Sequence, residues 1–180
     1  MERVVAYVDG FNLYFGLKSK GWRRYYWLDI PGLIGRLLLP DQRLIETKYF
    51  TSRVSASATD RDKPKRQNAF LEALQTRPDL LIYFGHYLQQ SCTCTRCGAT
   101  WRKYAEKMTD VNIATELLTD AFQNRFDTAL LVSGDSDLTA PIHAVRKFFP
   151  EKRVVVAFPP DRRSVELANA ASTSFHIGRA

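Results

Sequence analysis

The sequence has few cysteines and lacks a long apolar run. It has only three cysteines in 180 residues, and an odd, tightly clustered set argues against a disulfide scaffold. No apolar run approaches the roughly 20 residues that a membrane helix needs. Residues 1–9 lead directly into a strand-like pattern, without the charged, apolar and small-residue order of a signal peptide. We therefore expect a cytoplasmic protein without a membrane partner.

The chain also lacks internal repeats, low-complexity tracts and an interdomain linker, so we expect residues 1–180 to form a single domain. Its 45% hydrophobic and 25% charged residues are an ordinary globular balance. Lys and Arg number 26 against 19 Asp and Glu, which gives a net charge of +7. A basic surface attracts polyanions, which favours a nucleic-acid partner over the alternative of a modest excess of solvated cations.

Apolar patterns predict strands that alternate with helices. The strands are expected at residues 4–8, 44–51, 80–88, 128–132, 153–158 and 174–177. This alternation favours an α/β protein with three α/β/α layers and a mainly parallel sheet. A segment within 99–106 is expected to pair back onto the third strand. The pairing would make a small cysteine-containing hairpin insert near residues 88–106.

Four aspartates stand where predicted strands end or helices begin. Asp9 ends the first strand, and Asp135 and Asp137 follow the fourth. Asp110 opens a strong amphipathic helix, with Thr109 as its expected cap. The carboxyl ends of parallel strands gather functional groups at one edge of a sheet. Any one of these residues could be a simple cap or turn, but four carboxylates at one rim would repel one another unless a hard cation such as Mg²⁺ or Mn²⁺ lay between them.

Three segments resemble motifs of the NYN domain family of PIN-like nucleases. Val4 to Tyr14 (VVAYVDGFNLY) resembles the opening strand with its Asp-Gly-x-Asn signature. Lys107 to Ala114 (KMTDVNIA) resembles a segment in which an Asp-Val pair starts a helix, and Val132 to Leu138 (VSGDSDL) resembles the Ser-Gly-Asp-x-Asp motif. Order and spacing match from about residue 4 to residue 177. The bacterial LabA-like branch is the most similar subgroup.

The resemblance implies a PIN-like fold and a metal-dependent nuclease centre. The residues that would bind the metal, directly or through water, are Asp9, Asp110, Asp135 and Asp137. Asn12 would orient Asp9 or bind the scissile phosphate, and Ser133 would support the loop. Because PIN-like domains often pair, the resemblance also implies a homodimer.

The family pattern often has a further acid in the middle helix, and this chain has Glu116 and Asp120 there. Glu116 lies about 240° around the axis from Asp110, and Asp120 lies about 15 Å further along, so we place neither in the metal's first shell. Met108 and Thr109 stand where the family often has Gly-Val. We expect that departure to be harmless.

The cysteines form a compact cluster of thiols. Cys94-Thr-Arg-Cys97-Gly98 has the form of a zinc knuckle, and Cys92 adds a third thiolate. Structural zinc normally takes four ligands. His86 is the only nearby histidine, which makes a Cys3His zinc site one candidate. A reduced loop without zinc and a redox-sensitive loop are the alternatives.

Two basic runs are candidates for binding RNA. The first mixes cations with four aromatic residues between positions 16 and 27, and its cations are Lys18, Lys20, Arg23 and Arg24. Cations that follow phosphates beside rings that stack on bases are typical of single-strand binding. The second run comprises Lys63, Lys65 and Arg66. Alternatively the rings are core and the cations are solvated, and we expect Trp27 and Tyr25 to be in the core.

These features together predict a metal-dependent ribonuclease that hydrolyses RNA phosphodiester bonds, with single-stranded RNA as its partner. One alternative is a PIN-like module that binds RNA or protein with little or no turnover. The other is a phosphatase or small-nucleotide hydrolase in which Asp9 is the nucleophile. The second alternative is weaker, because Phe11 stands where aspartyl-phosphate enzymes typically have a second Asp.

Overall fold

A computed structural model describes residues 1–56 and 60–178, and within them all side chains except those of 86–90 and 101–107. The strands are β1 (Glu2–Asp9), β2 (Gln42–Thr51), β3 (Leu80–Phe84), β4 (His86–Thr93), β5 (Thr100–Lys107), β6 (Thr128–Val132), β7 (Arg153–Phe158) and β8 (Thr173–His176). The α-helices are α1 (Gly10–Ser19), α2 (Ile30–Leu37), α3 (Lys63–Gln75), α4 (Thr109–Phe122), α5 (Thr139–Phe148) and α6 (Val165–Ala170). Within the described residues, none of the helices has the length and apolar character to span a membrane.

Six strands form one sheet in the order β3-β2-β1-β6-β7-β8, and every neighbouring pair is parallel. The predicted strands at 128–132 and 153–158 coincide with β6 and β7. The predicted strand at 80–88 is wrong as one element, because the chain leaves the main sheet at Gly85 and continues as β4. β4 pairs with β5 in an antiparallel hairpin, which confirms the predicted insert with wider bounds.

Helices cover both faces of the sheet, as the three-layer prediction requires. Alternate residues of β1 point to opposite faces, and Val4 to Val8 are all fully buried. Val5 and Tyr7 belong to a core with α4, α5 and α6, whose contributing side chains include Ile113, Leu117, Ile142, Val145, Leu167 and Ala170. Val4, Ala6 and Val8 belong to a second core with α1, α2 and α3, which contribute Leu13, Leu17, Ile30, Ile34, Leu71 and Leu74.

The sheet changes its direction of growth between β1 and β6. From β1 the chain adds β2 and then β3 on one side, and it later adds β6, β7 and β8 on the other. A crevice opens beyond the carboxyl ends of strands at such a switch point. Val8 is in register with Val132, so Asp9 and Ser133 are the next residues on two adjacent strands.

The segment between α1 and α2 differs from the sequence expectation. Trp27 is 56% exposed, so its assignment to the core is wrong, and Tyr25 is only half-buried. The indole of Trp27 packs edge-on against Phe70 of α3, with ring centroids 6.1 Å apart. The reason is that this segment contains only a short 3-10 turn, Arg23–Tyr25, in which no residue is buried. The predicted loop before α3 is also shorter, because the helix already begins at Lys63.

Candidate active site

Asp9 is fixed at the end of β1, beside the end of β6. It ends β1, caps α1 and is only 4% exposed. One carboxylate oxygen, Oδ1, accepts a hydrogen bond of 2.9 Å from the backbone N–H of Asn12. The other, Oδ2, accepts one of 3.0 Å from the hydroxyl of Ser133, at the end of β6. The carboxylate therefore has a fixed orientation at the switch point.

The loop that carries Asp135 is tied to the same residues. The hydroxyl of Ser133 accepts a hydrogen bond of 3.1 Å from the backbone N–H of Asp135, and thereby links Asp135 to Asp9. The side-chain oxygen of Asn12 accepts one of 3.1 Å from the backbone N–H of Gly134. Asn12 thus holds α1 against this loop, and Ser133 supports the loop as the family resemblance implies. Asp135 itself accepts from the backbone N–H of Asp137 at 3.0 Å.

Asp110 enters the site from the first turn of α4. The residue before the helix is Met108, with φ of 76° and ψ of −6°, and Thr109 is already helical. The expectation that Thr109 is the cap is therefore wrong by one residue. The left-handed region costs a residue with a side chain roughly 1–2 kcal/mol. A glycine fits this backbone best, so Met108 carries backbone strain at the start of the helix that brings Asp110 to the site. That the departure at Met108 and Thr109 is harmless stays a prediction.

Asp9, Asp110 and Asp135 line one cleft. Burial and the charges of Asp135, Asp9 and Asp137 together raise the pKa of Asp110 to about 6. The four carboxylates are thus close enough to repel one another, although Asp137 is exposed and lies outside the cleft lining. Hard oxygen donors in a crowded, negatively charged cleft fit Mg²⁺ or Mn²⁺.

The described side chains contain no group of three or more His, Cys, Asp or Glu gathered tightly enough to hold an ion directly. A cation in the acidic cleft would therefore contact some of the carboxylates through water. Mg²⁺ commonly keeps several of its waters when it binds to proteins. The donor set accordingly fits a partly hydrated hard cation.

Arg162 is a residue of the cleft that the sequence analysis missed. It lines the cleft together with the carboxylates, and its guanidinium carbon lies 6.0 Å from the ring centroid of Phe15. It follows β7 at the same edge of the sheet that carries the aspartates. The available signal was its position just beyond the carboxyl end of a predicted parallel strand. The acidic cleft thus has a cation at its rim.

A second concavity, which we call the aromatic groove, adjoins the acidic cleft. Its ring-bearing lining residues are Phe11, Tyr14, Phe15, Tyr25, Tyr26, Trp27, Tyr49 and Phe70. Phe11 and Phe15 line both concavities. Tyr49 lies at the junction, where burial and the nearby charge of Asp9 raise its pKa.

The predicted RNA-binding cations divide between this groove and the open surface. Lys63 and Arg66 line the groove. The five others are exposed and line neither concavity, and they are Lys18, Lys20, Arg23, Arg24 and Lys65. Two of these exposed cations have partners nearby: Lys20 pairs with Asp161 at 2.8 Å, and Arg24 stacks on the ring of Tyr25.

Glu116 and Asp120 belong to a buried charge network on the other side of α4. The ammonium of Lys48 lies 2.7 Å from Glu116 and 2.6 Å from Asp120. The hydroxyl of Tyr7 also donates to Asp120, at 2.6 Å. Neither acid lines the cleft, which agrees with their positions around the helix.

The three thiols lie at and near the tip of the β4–β5 hairpin and form no disulfide. The Cys94 carbonyl accepts a hydrogen bond from the backbone N–H of Gly98. Backbone N–H groups of Arg96 and Cys97, followed by the Cys97 side chain, lower the pKa of the Cys94 thiol. This turn therefore makes the Cys94 thiol more acidic than an ordinary thiol.

The His86 side chain lies outside the described ones, but its backbone position is defined. His86 opposes Lys107 at the base of the hairpin, whereas Cys92 opposes Trp101. Six residues of extended strand span about 20 Å. We therefore leave His86 out of any metal site built on the thiols.

Comparison with known proteins identifies a matching family and a shared fold. A family model described as the NYN domain matches residues 3–177. A 6-hydroxy-3-succinoylpyridine 3-monooxygenase from Pseudomonas putida is 27% identical over an alignment of 177 residues, which covers 80% of this chain. The alignment covers 55% of that relative, so this chain spans about half its length. A solved structure of a protein of unknown function from Vibrio parahaemolyticus has a TM-score of 0.63 at 19% identity, covering 98% of this chain and 93% of that one.

Proposed function

This chain belongs to the NYN domain family of PIN-like nucleases, and on that premise we propose that it is a metal-dependent ribonuclease acting on single-stranded RNA. Its three-layer α/β/α fold is PIN-like. The observation that carries the proposal is the shared cleft of Asp9, Asp110 and Asp135 at the switch point of the sheet. The three sequence motifs favour the LabA-like branch within the family.

Asp9, Asp110 and Asp135 would hold Mg²⁺ or Mn²⁺, directly or through water, and Asp137 would add negative charge from the rim. A cation there supplies a Lewis acid for the phosphoryl oxygens and lowers the pKa of bound water. The donors support this assignment because all are carboxylates and their mutual repulsion is relieved by a positive charge.

The remaining residues position the substrate and the acids. Ser133 and Asn12 keep Asp9 and the Asp135 loop in one arrangement through their hydrogen bonds. Arg162 is the cation best placed to bind the scissile phosphate, because it lines the same cleft. A guanidinium can form paired hydrogen bonds with phosphate oxygens.

The test is an incubation of the protein with labelled single-stranded RNA, single-stranded DNA and a phosphomonoester, each with Mn²⁺ and with chelator. We expect RNA cleavage in Mn²⁺ and its loss in chelator and in Asp135→Asn. Asp41→Asn is the matched control, because Asp41 is exposed and lies just before β2, at the opposite edge of the sheet. It makes the same change of charge and should cleave like the wild type.

Two other results would replace the proposal. RNA binding without cleavage, unchanged in Asp135→Asn, would favour the alternative of a binding module with little turnover. Release of phosphate from the monoester alone would favour the phosphatase. Cleavage that persists in Asp135→Asn would remove Asp135 from the metal centre.

For the hairpin, we propose that Cys92, Cys94 and Cys97, which are not gathered into a metal site in the structure, close around a structural zinc ion with a fourth ligand from outside this set. The proposal is supported by three thiols within six residues and by the lowered pKa of Cys94. Protein purified from zinc-supplemented medium should contain about one zinc per chain by elemental analysis, as a closed four-coordinate site predicts. Cys97→Ser should lose it. His86→Ala is the control and should retain it, whereas a zinc-free wild type would contradict the site.

A further inference from the structure

The aromatic groove presents rings to solvent that the core does not use. Trp27 is 56% exposed and Phe15 is 40% exposed. Each meets a neighbouring ring edge-on: Trp27 meets Phe70 at 81°, and Phe15 meets Tyr14 at 67° with centroids 5.4 Å apart. Exposed aromatic surface that lines a concavity is a typical binding surface.

The groove continues directly from the acidic cleft along α1. Phe11 and Phe15 are four residues apart on this helix, and their rings stack with centroids 6.1 Å apart and an interplanar angle of 22°. Both rings line the groove as well as the cleft. Because α1 starts immediately after Asp9, the two concavities have a fixed relation. An extended ligand in the cleft would therefore reach these rings with a neighbouring part.

The groove also carries positive charge on one wall. Lys63 and Arg66, from the first turn of α3, line it together with the rings of α1. Arg66 is paired with Asp60, and a phosphate could replace that carboxylate as its partner. Rings and cations in one groove match the two parts of a nucleotide, a flat base and an anionic phosphate. An apolar peptide would use the rings but leave the cations without a role.

We propose that the aromatic groove binds one unpaired nucleobase of the RNA strand whose backbone enters the acidic cleft. The inference deepens the proposed function and rests on it for the identity of the strand. In a duplex each base is stacked and paired, so only an unpaired nucleotide can turn its base into a groove of this kind. The groove thus provides a physical reason for a preference for single strands.

The experiment measures binding of a short fluorescein-labelled RNA by anisotropy, in chelator, with every variant made in the Asp135→Asn background. The RNA then stays intact. Trp27→Ala should weaken binding about 5- to 150-fold, the range for loss of one base–ring stack. Trp27→Phe should recover most of the affinity. Phe148→Ala is the control, because Phe148 is 66% exposed on α5, which packs on the other face of the sheet, and it should bind normally.

A set of RNAs with a single abasic site at successive positions identifies the base. At one position the abasic RNA should bind the Trp27-containing protein weakly, and Trp27→Ala should cause no further loss, because both changes remove the same contact. The proposal would be overturned if Trp27→Ala weakened the binding of every abasic RNA equally. It would also be overturned if Trp27→Ala weakened the binding of a duplex as much as the binding of single-stranded RNA. Unchanged binding by Trp27→Ala would overturn it as well.

Failure of the groove and failure of the nuclease are distinguishable. Cleavage of RNA by the wild-type protein, with Trp27→Ala binding normally, would refute the groove and leave the nuclease. Binding that depends on Trp27 and on one base, in a protein that never cleaves, would support the groove and refute the nuclease. It would assign the chain to the RNA-binding alternative.

Discussion

Lys48→Met is expected to lower the free energy of unfolding by about 3–5 kcal/mol, the usual loss when one partner of a buried ion pair is removed. Lys48 lies in the middle of β2 and is only 1% exposed. Its ammonium contacts Asp120 at 2.6 Å and Glu116 at 2.7 Å, both on α4. Methionine has a similar shape but no charge, so the variant keeps the packing and loses the pairing.

The large effect arises from the carboxylate that remains. Asp120 is also 1% exposed, so water cannot replace the ammonium, and among the described residues the hydroxyl of Tyr7 and the more distant Arg125 are the partners that remain. Burial alone would lower the pKa of Lys48, but the hydrogen bonds that it donates to Asp120 and Glu116 outweigh burial and raise the pKa. The lysine is therefore charged in the folded protein.

Urea unfolding followed by circular dichroism would measure the loss. The diagnostic control is Lys48→Met/Asp120→Asn, in which the amide can still accept from Tyr7 and no charge is left buried. This double variant should be more stable than Lys48→Met alone. A loss below about 1 kcal/mol, the value of an exposed pair, or a double variant no better than the single one, would contradict the account.

The sequence predicts the parts of the fold that depend on local patterns. β6 is a run of five buried residues, all of which had to be apolar or small, and its predicted bounds coincide with the observed ones. The acids at strand ends were also predictable, because parallel strands of alternating α/β chains end at one edge. Placing Asp9 beside Asp135 needed only the adjacency of β1 and β6.

Features made by long-range packing were not predictable from patterns. Lys48 is a polar residue within a strand, and only the position of α4 reveals that it is buried beside Asp120. Trp27 belongs to an apolar-looking segment, yet it remains exposed, because it packs edge-on against Phe70 of α3 and does not enter the core. A single sequence also gives no backbone dihedral angles, so the left-handed conformation of Met108 became clear only from the structure.

Gly134→Ala is expected to reduce RNA cleavage about 100-fold, the loss that a displacement of about 1 Å can cause in a catalytic site. A Cβ atom at this position would lie 2.3 Å from the backbone oxygen of Arg162 and 2.8 Å from its carbonyl carbon. Neither atom belongs to a flexible side chain. The methyl group must therefore push the loop of Asp135 away from the loop of Arg162.

The displacement would act on both charges of the cleft. The backbone N–H of Gly134 donates to Asn12, and its neighbour Ser133 donates to Asp9, so movement of this loop separates Asp135 from Asp9. The same movement shifts Arg162, which lines the cleft from the other side. Mn²⁺ binding by calorimetry should weaken together with cleavage, and it provides a readout that does not require RNA turnover.

Gly35→Ala is the matched control for this substitution. Gly35 is exposed within α2, and a Cβ there would meet no atom within 4 Å. Alanine is better than glycine inside a helix by roughly 0.5–1 kcal/mol, so this variant should be slightly more stable and fully active. Wild-type cleavage and Mn²⁺ binding in Gly134→Ala would mean that the cleft tolerates a looser spacing. The hydrogen-bonded strand ends would then not set the distance between the carboxylates.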